Sequence, residues 1–261
     1  MRKWLISGVF GFGFLMALGD AAARALNLFE LEVYPYDTAG PGELEVETLN
    51  SYVVNGLGSP EPDIVPDQHL WRSSLELTYG LTDHLEAAAY LDFARTEDGS
   101  VDYAGNRVHG RYRFFEKDEI PVNVGLYVEL EIPNRRFDED NLSAEMRLIL
   151  EKDLGAFTVQ INPIFEKSLS GESTNIGTEF SYAAKTLYRW RPWLKPGVEF
   201  YGDIGPLSNP DRSSRQAHYV IPEVDLLLAR QLKLNTGVGF GLTHGSNSCL
   251  IKFNLEYEFV F

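Results

Sequence analysis

The last thirteen residues of the chain, CLIKFNLEYEFVF, alternate between two kinds of side chain. One set is apolar throughout: Cys249, Ile251, Phe253, Leu255, Tyr257, Phe259 and Phe261. The other set is mostly polar: Leu250, Lys252, Asn254, Glu256, Glu258 and Val260. Because successive side chains of a strand point to opposite faces, this pattern predicts a long β-strand with one apolar and one charged wall. A helix would scatter the same charges around its circumference.

Similar segments recur along the chain and give about twelve candidate strands. They are Glu43–Val54, Gln68–Gly80, Leu85–Arg95, Gly105–Phe115, Pro121–Ile132, Leu142–Glu151, Ala156–Lys167, Ile176–Arg189, Trp193–Asp203, Gln216–Ala229, Leu232–Thr243 and Ser248–Phe261. Strands of soluble domains are typically ~5–6 residues long. Most of these segments are longer, and they suit tilted membrane strands of ~9–11 residues with interfacial ends.

The connections between these segments alternate between long and short. The long ones are Asn55–Asp67, Thr96–Ala104, Pro133–Asn141, Ser168–Asn175 and Ile204–Arg215. The short ones are Leu81–His84, Glu116–Ile120, Lys152–Gly155, Trp190–Pro192 and Arg230–Gln231. An up-and-down membrane barrel has this rhythm, whereas a Greek-key sandwich has no reason to keep it. We therefore predict an all-β fold: an up-and-down antiparallel transmembrane β-barrel of about twelve strands, with short periplasmic turns and longer extracellular loops.

The N-terminus has the three parts of a secretory signal. Arg2 and Lys3 precede an apolar run from Trp4 to Leu18, and a small-residue stretch, 21–25, follows it. The run is shorter than the ~20 residues that span a bilayer, so we expect cleavage after Ala25. The predicted organisation is a signal peptide (1–25), a segment that lies in the periplasm or inserts into the lumen (26–42), and the barrel (43–261).

The closing strand, with aromatic residues at alternate positions and a terminal Phe261, resembles the C-terminal assembly signal of bacterial outer-membrane β-barrels. That resemblance implies a Gram-negative cell outer membrane as the location. It also implies recognition by the barrel-assembly machinery and contact with outer-membrane lipid and lipopolysaccharide. The size, strand number and acidic segment 26–42 are similar to the outer-membrane channels associated with meta-pathway phenol degradation. The second resemblance implies a channel and no particular solute.

The predicted inward faces are rich in charge, and we interpret them as pore-lining. The residues are Arg107, His109, Arg111, Arg113, Glu129, Glu131, Glu145, Arg147, Glu179, Lys185, Glu199, Glu223, Asp225, Lys252 and Glu256. Charges at this density must be paired or hydrated. The sequence favours a narrow aqueous pore for passive diffusion of small solutes. The alternative is a salt-bridged interior that fills a non-conducting, structural barrel.

The first and last strands should meet where the barrel closes. Glu43, Glu45 and Glu47 would then face Glu256 and Glu258, and this contact would bring acids against acids. Only two basic residues, Lys233 and Lys252, would offset them, so we expect water or cations at this seam.

Other classes of function find less support. A formal charge of −15 argues against a nucleic-acid partner, and one cysteine, Cys249, excludes an intrachain disulfide. We find no cofactor motif and no His/Cys metal spacing. His244-Gly245-Ser246-Asn247 resembles the His-x-Ser-Asn stretch of outer-membrane lipid hydrolases, in which His244 and Ser246 would be base and nucleophile. The tetrapeptide falls on a predicted hairpin tip, where ordinary turn formation also explains it, so we predict that the protein is not an enzyme.

Overall fold

The computed structural model describes residues 26–58 and 63–259 of the chain. The predicted signal peptide and Phe261 lie outside the described residues. The strands are β1 (Leu44–Asn55), β2 (Trp71–Gly80), β3 (Leu85–Arg95), β4 (Val101–Arg113), β5 (Asn123–Pro133), β6 (Asp140–Leu154), β7 (Phe157–Gly171), β8 (Thr178–Tyr188), β9 (Leu194–Pro206), β10 (Ala217–Ala229), β11 (Leu232–Gly241) and β12 (Cys249–Phe259). One 3₁₀ turn, Glu172–Asn175, follows β7.

These strands form one closed barrel. Each strand pairs antiparallel with its neighbours in chain order, and β1 pairs with β12 to close the sheet. The predicted fold class is therefore confirmed. Several strands are longer than predicted, and β4 starts at Val101 rather than Gly105. Its ladder with β3 continues through a register shift at Asp92/Phe93, where Gly105 has a φ of 154° that favours glycine.

The outer surface of the barrel is apolar. In β5, Val128, Leu130 and Ile132 are 47%, 44% and 49% exposed, whereas Tyr127 and Glu129 on the opposite face are buried. Apolar side chains outside and polar ones inside are the arrangement that lipid requires. Within the described part of the chain, no helix is long and apolar enough to cross a bilayer.

The connections separate the two ends of the barrel. We call the end with 81–84, 155–156 and 230–231 the short-turn end, and the end with 56–70 and 207–216 the long-loop end. In outer-membrane barrels short turns face the periplasm. One connection breaks the rhythm, because 114–122 at the short-turn end is longer than 96–100 at the long-loop end. Hydrogen bonds within the 114–122 connection stabilise it, and one of them runs from Glu119 N to Glu116 O (3.1 Å).

The seam between β1 and β12 brings acids opposite acids, as predicted. Glu45 pairs with Glu258 and Glu47 with Glu256 in the strand register. Lys233 lies on β11 beside this seam, with its Nζ 2.8 Å from Glu256 and in contact with Glu258. Lys252 forms its ion pair away from the seam, with its Nζ 2.6 Å from Glu199 on β9, so its predicted contribution to offsetting the seam acids stays a prediction. Water or cations at the seam stay a prediction.

Candidate functional site

Residues 26–43, which we call the luminal segment, contact the inner face of the barrel. Near the long-loop end, Ser51 Oγ donates a hydrogen bond to Leu28 O (2.7 Å). On the neighbouring strand, Ser74 Oγ donates to Phe29 O (3.0 Å). Two backbone carbonyls of the segment are therefore bound by side chains of β1 and β2.

The segment continues toward the short-turn end. Halfway along, Tyr34 N donates to Asn162 Oδ1 (2.7 Å) and Asn162 Nδ2 donates back to Tyr34 O (3.2 Å). Further down, Ala39 N donates to Glu86 Oε2 (2.5 Å). A buried backbone needs such partners, and here the strands β3 and β7 supply them. The segment thus runs through the interior from one end of the barrel to the other.

Glu30 of the segment is contacted by four buried side chains. Its Oε2 lies 2.9 Å from Arg107 Nη1 and 2.9 Å from Arg147 Nη2. Its Oε1 accepts a hydrogen bond from Tyr34 Oη (2.6 Å), and Tyr127 Oη lies 3.1 Å away. All five side chains are buried. Two guanidinium groups and a tyrosine hydroxyl therefore satisfy one buried carboxylate, as burial of a charge requires.

Arg107 and Arg147 also bind acids of their own wall, formed by β3 to β6. Arg107 Nε lies 3.1 Å from Asp92 Oδ2, and its Nη1 lies 3.5 Å from Glu129 Oε2. Arg147 Nε lies 2.5 Å from Glu145 Oε1. These predicted inward residues therefore form one ion-pair network around Glu30, which we call the arginine network.

The other residues of β4 that were predicted to line the pore are His109, Arg111 and Arg113, and they divide into buried and peripheral ones. Arg111 Nε lies 2.7 Å from Glu86 Oε1, and His109 Nδ1 lies 2.9 Å from Tyr90 Oη. Arg113 is different, because its Nε donates to the carbonyl of Asp83 (2.6 Å) in the 81–84 turn. Arg113 is therefore part of the rim at the short-turn end rather than of the lumen wall.

A second network lies on β8, β9, β10 and β12, and we call it the lysine network. Lys185 Nζ lies 3.0 Å from Asp225, 3.3 Å from Glu199 and 3.7 Å from Glu223. Lys252 Nζ lies 2.6 Å from Glu199. Sequence reasoning placed all five residues on the inward face, and the structure brings them together.

An apolar patch on the inward face went unpredicted. Ile221 and Leu250 are fully buried and belong to one cluster with Leu28, Leu31 and Val33 of the luminal segment. Apolar residues at single inward positions look like exceptions in a sequence pattern. Here they pack against the luminal segment, so part of the lumen wall is apolar rather than charged.

Two glycines of β11 make room for this patch. A Cβ at Gly237 would lie 2.7 Å from Ile221 Cγ2 and 2.7 Å from the carbonyl of Pro222. A Cβ at Gly239 would lie 2.6 Å from Leu250 Cδ1. Glycine at both positions therefore lets the two apolar side chains lie flat against the strand.

The luminal segment separates two cavities. The cavity at the long-loop end, the outer vestibule, has a volume of about 290 Å³ and is lined by Leu26–Glu30 of the segment. The cavity at the short-turn end, the inner vestibule, has a volume of about 710 Å³ and is lined by Glu32–Ala39 apart from Tyr36. The predicted residues Glu131, Glu145, Arg147 and Glu179 lie in the outer vestibule. Arg111, Lys185, Glu199, Asp225, Lys252 and Glu256 lie in the inner one.

Lys117 links the segment to the 114–122 connection. Its Nζ lies 3.8 Å from Asp37 and 3.4 Å from Glu151. Burial lowers the pKa of Lys117, but the two carboxylates act against it and leave the pKa above its ordinary value. The lysine therefore stays charged at neutral pH and continues to attract the acid of the segment.

The His244/Ser246 arrangement does not have the geometry of a catalytic pair. Ser246 Oγ donates to His218 O (2.9 Å) and accepts from His218 N (2.8 Å), and Ser246 is buried. His244 is exposed. No hydrogen bond joins the two side chains in the described ranges 26–58 and 63–259. The serine hydroxyl instead fixes the 242–248 loop to β10.

Two groups of three glutamates have carboxylate oxygens within 4.8 Å of one another: Glu32, Glu47 and Glu76, and Glu45, Glu256 and Glu258. In the second group, Lys233 Nζ contacts two of the carboxylates, those of Glu256 and Glu258. In the first, Thr78 Oγ1 donates to Glu76 Oε1 (2.7 Å). Carboxylate oxygens suit a hard cation, but neither group by itself defines a metal site.

Comparison with solved structures gives the same architecture. The COG4313 outer-membrane channel from Pseudomonas putida F1 superposes with a TM-score of 0.61 at 15% identity, covering 88% of this chain and 100% of that chain. The NanC porin superposes with a TM-score of 0.55 at 12% identity, covering 84% of this chain and 100% of that chain. The KdgM porin superposes with a TM-score of 0.56 at 10% identity, covering 83% of this chain and 99% of that chain. No protein-family model and no curated protein matches the sequence. The chain has the fold of twelve-stranded outer-membrane channels. The cell outer membrane is the location that this fold indicates.

Proposed function

We propose that the protein is an outer-membrane channel that admits small solutes by passive diffusion through a narrow, charge-lined lumen. The observation that carries the proposal is the pair of vestibules inside a closed twelve-stranded barrel, one at each end of the luminal segment. The solved structures of the same fold are named as channels or porins, which supports it. We further propose that outer-membrane lipid and lipopolysaccharide surround the apolar exterior, and that the assembly machinery recognises the closing strand.

The luminal segment sets the width of the path in this proposal. It lies between the vestibules and is held by the arginine network on one wall and by the apolar patch on the other. A solute that crosses must pass beside this segment or displace it. The proposed channel is therefore narrower than its strand number alone would allow.

The proposal includes no catalytic step. Ser246 is bound to the backbone of His218, and the solved structures named above are channels and porins. The predicted pore-lining residues act by pairing and by setting the electrostatic potential of the path.

Conductance in planar lipid bilayers tests the proposal. We expect discrete single-channel steps for the full chain, and steps several-fold larger for a variant that lacks residues 28–38, because removal of the segment joins the two vestibules. Heat-modifiable migration on a detergent gel confirms that both proteins fold as barrels. A folded protein that is electrically silent in both forms would overturn the channel function and favour a structural barrel.

A further inference from the structure

Two neighbouring hairpins at the short-turn end carry bases and no acids around their turns. Residues 188–198 surround the β8–β9 turn and residues 226–236 surround the β10–β11 turn, and we call these two stretches the basic sector. Together they contain three arginines, two lysines and no aspartate or glutamate. The 114–122 connection at the same end has three acids and one lysine instead. The basic sector is therefore a local excess of positive charge in a chain with a formal charge of −15.

Three of these five bases act at the lumen or at the seam. Arg189 contacts a carboxylate of β6, Lys233 contacts two acids of the seam, and Lys195 lines the inner vestibule. Arg191 and Arg230 differ from them, because both are exposed and neither lines that cavity. Neither arginine forms an ion pair with a carboxylate of residues 26–58 or 63–259. Two positive charges of the basic sector are therefore left for a partner outside the described chain.

The strand order brings these two arginines to the same part of the rim. Arg191 starts a tight turn, in which its backbone N donates to Leu194 O (3.0 Å). Leu194 pairs with Leu226 on β10, and Arg230 lies four residues further along, in the turn that follows β10. Only β9 separates β8 from β10, and neighbouring strands lie ~4.8 Å apart, so the two turns are about 10 Å apart. The two long side chains can therefore reach one group between them.

Aromatic side chains on the outer face place this part of the rim at the membrane interface. Trp190 is 54% exposed, and the guanidinium carbon of Arg191 lies 5.8 Å from its ring centroid. Tyr188 is also exposed and packs against Phe157, with 5.1 Å between ring centroids. Arg189 lies between the two aromatic residues in sequence and lines the inner vestibule, so Tyr188 and Trp190 face outward. Because tryptophan and tyrosine of membrane proteins lie at the level of the lipid headgroups, Arg191 lies at that level too.

We propose that the basic sector binds the headgroup of an anionic phospholipid in the periplasmic leaflet. Arg191 and Arg230 bind the phosphate, and Trp190 lies at the boundary between the headgroups and the acyl chains. A guanidinium group matches a phosphate through two parallel hydrogen bonds, and no ion pair within the described chain has to be broken to make them. A basic residue at a membrane surface strengthens the attraction to anionic lipid about fivefold. The inference needs only the barrel and its location, so it goes beyond the channel function and does not depend on it.

Native mass spectrometry of the folded protein in detergent measures this binding. The probes are phosphatidylglycerol and phosphatidylcholine with the same acyl chains, since both contain a phosphate and only the former has a net negative charge. In ~0.1 M ammonium acetate we expect the wild type to bind phosphatidylglycerol at least about fivefold more tightly than phosphatidylcholine. In ~1 M ammonium acetate the Debye length falls from about 10 Å to about 3 Å, and the preference should fall below about twofold.

A double variant tests the two arginines directly. Arg191→Gln/Arg230→Gln should lower the affinity for phosphatidylglycerol at least about fivefold and leave the affinity for phosphatidylcholine nearly unchanged. Arg135→Gln/Arg212→Gln is the matched control, since it removes two exposed arginines from connections at the long-loop end. Heat-modifiable migration must show that each variant is folded. Equal affinity of the wild type for the two lipids, or an equal fall in both double variants, overturns the inference and leaves the channel function intact.

Discussion

Glu30 and Arg107 form a buried ion pair between the luminal segment and β4, with Glu30 Oε2 2.9 Å from Arg107 Nη1. Arg107 is fully buried and is also bound by Asp92. Its guanidinium group is therefore held by the barrel wall as well as by the segment. Since the partner cannot move, this pair determines where the segment lies along the barrel axis.

Replacement of Glu30 should release the segment. In Glu30→Gln the amide cannot neutralise two guanidinium groups, and loss of one partner of a buried pair costs about 3–5 kcal/mol. We expect faster hydrogen exchange over residues 26–43 and a larger single-channel conductance. Asp63→Asn removes an exposed carboxylate from the 56–70 connection, outside the segment, and as the control it should leave both unchanged. Unaltered exchange in Glu30→Gln would show that the ion pairs do not anchor the segment.

The end of β2 offers a test through packing. A Cβ at Gly80 would overlap the carbonyl of Gly40, where the luminal segment turns into β1. Gly80→Ala should therefore shift the segment or destabilise the barrel by about 1–3 kcal/mol, measured as a lower temperature of the heat-modifiable transition. At Gly110 the nearest atom to a Cβ is 3.8 Å away, so Gly110→Ala should be neutral. Equal transition temperatures for the two variants would contradict the close approach at Gly80.

The stability of the acid-rich seam between β1 and β12 should depend on Lys233. In Lys233→Gln, Glu256 and Glu258 lose the cation that they share and still face Glu45 and Glu47. Because Lys233 is half exposed, we expect a loss of about 1 kcal/mol or less. The loss should shrink as salt is raised, since screening weakens repulsion between exposed charges. Lys195→Gln removes the same charge from the same end, and a similar salt-dependent loss there would rule out a specific role for Lys233.

We expect Ser246 to stabilise the fold and to have no role in hydrolysis. Ser246→Ala removes both hydrogen bonds to the His218 backbone and should cost about 1–3 kcal/mol of stability. Ser248→Ala, which removes an exposed hydroxyl from the same loop, should cost nothing measurable. Phospholipid hydrolysis by the wild type should not exceed that of Ser246→Ala. Hydrolysis that disappears in Ser246→Ala and also in His244→Ala would restore the lipid-hydrolase alternative.

Much of the barrel could be predicted from the sequence because its strands follow a local rule. Alternation identifies the strand at Cys249–Phe259 and its charged face, and closure of an up-and-down barrel adds its pairing with β1. The same rule places Lys185 and Glu199 on inward faces, and strand order brings them together. Periodicity, short turns and antiparallel pairing involve residues or strands that are neighbours along the chain, so the sequence alone can predict them.

The luminal segment could not be predicted in the same way. Leu26 to Tyr36 alternates as a strand does, yet it forms no strand in the structure. Its backbone forms hydrogen bonds with side chains of the barrel wall instead. Its position depends on Glu30 meeting Arg107 and Arg147, which are distant in the chain and have nearer acids as alternative partners. Such contacts depend on the closed barrel and on no local pattern. The two acids in this mostly apolar stretch, Glu30 and Glu32, were the available signal.

The two walls that hold the luminal segment respond to different conditions. Ion pairs as deeply buried as those of Glu30 are screened little by salt. The contact of Leu28, Leu31 and Val33 with Ile221 and Leu250 buries apolar surface, so binding of the segment carries a negative change in heat capacity. Apolar contacts of this kind weaken on cooling. We therefore expect the stability of the segment in the lumen to depend on temperature more than on ionic strength and to be lower in the cold.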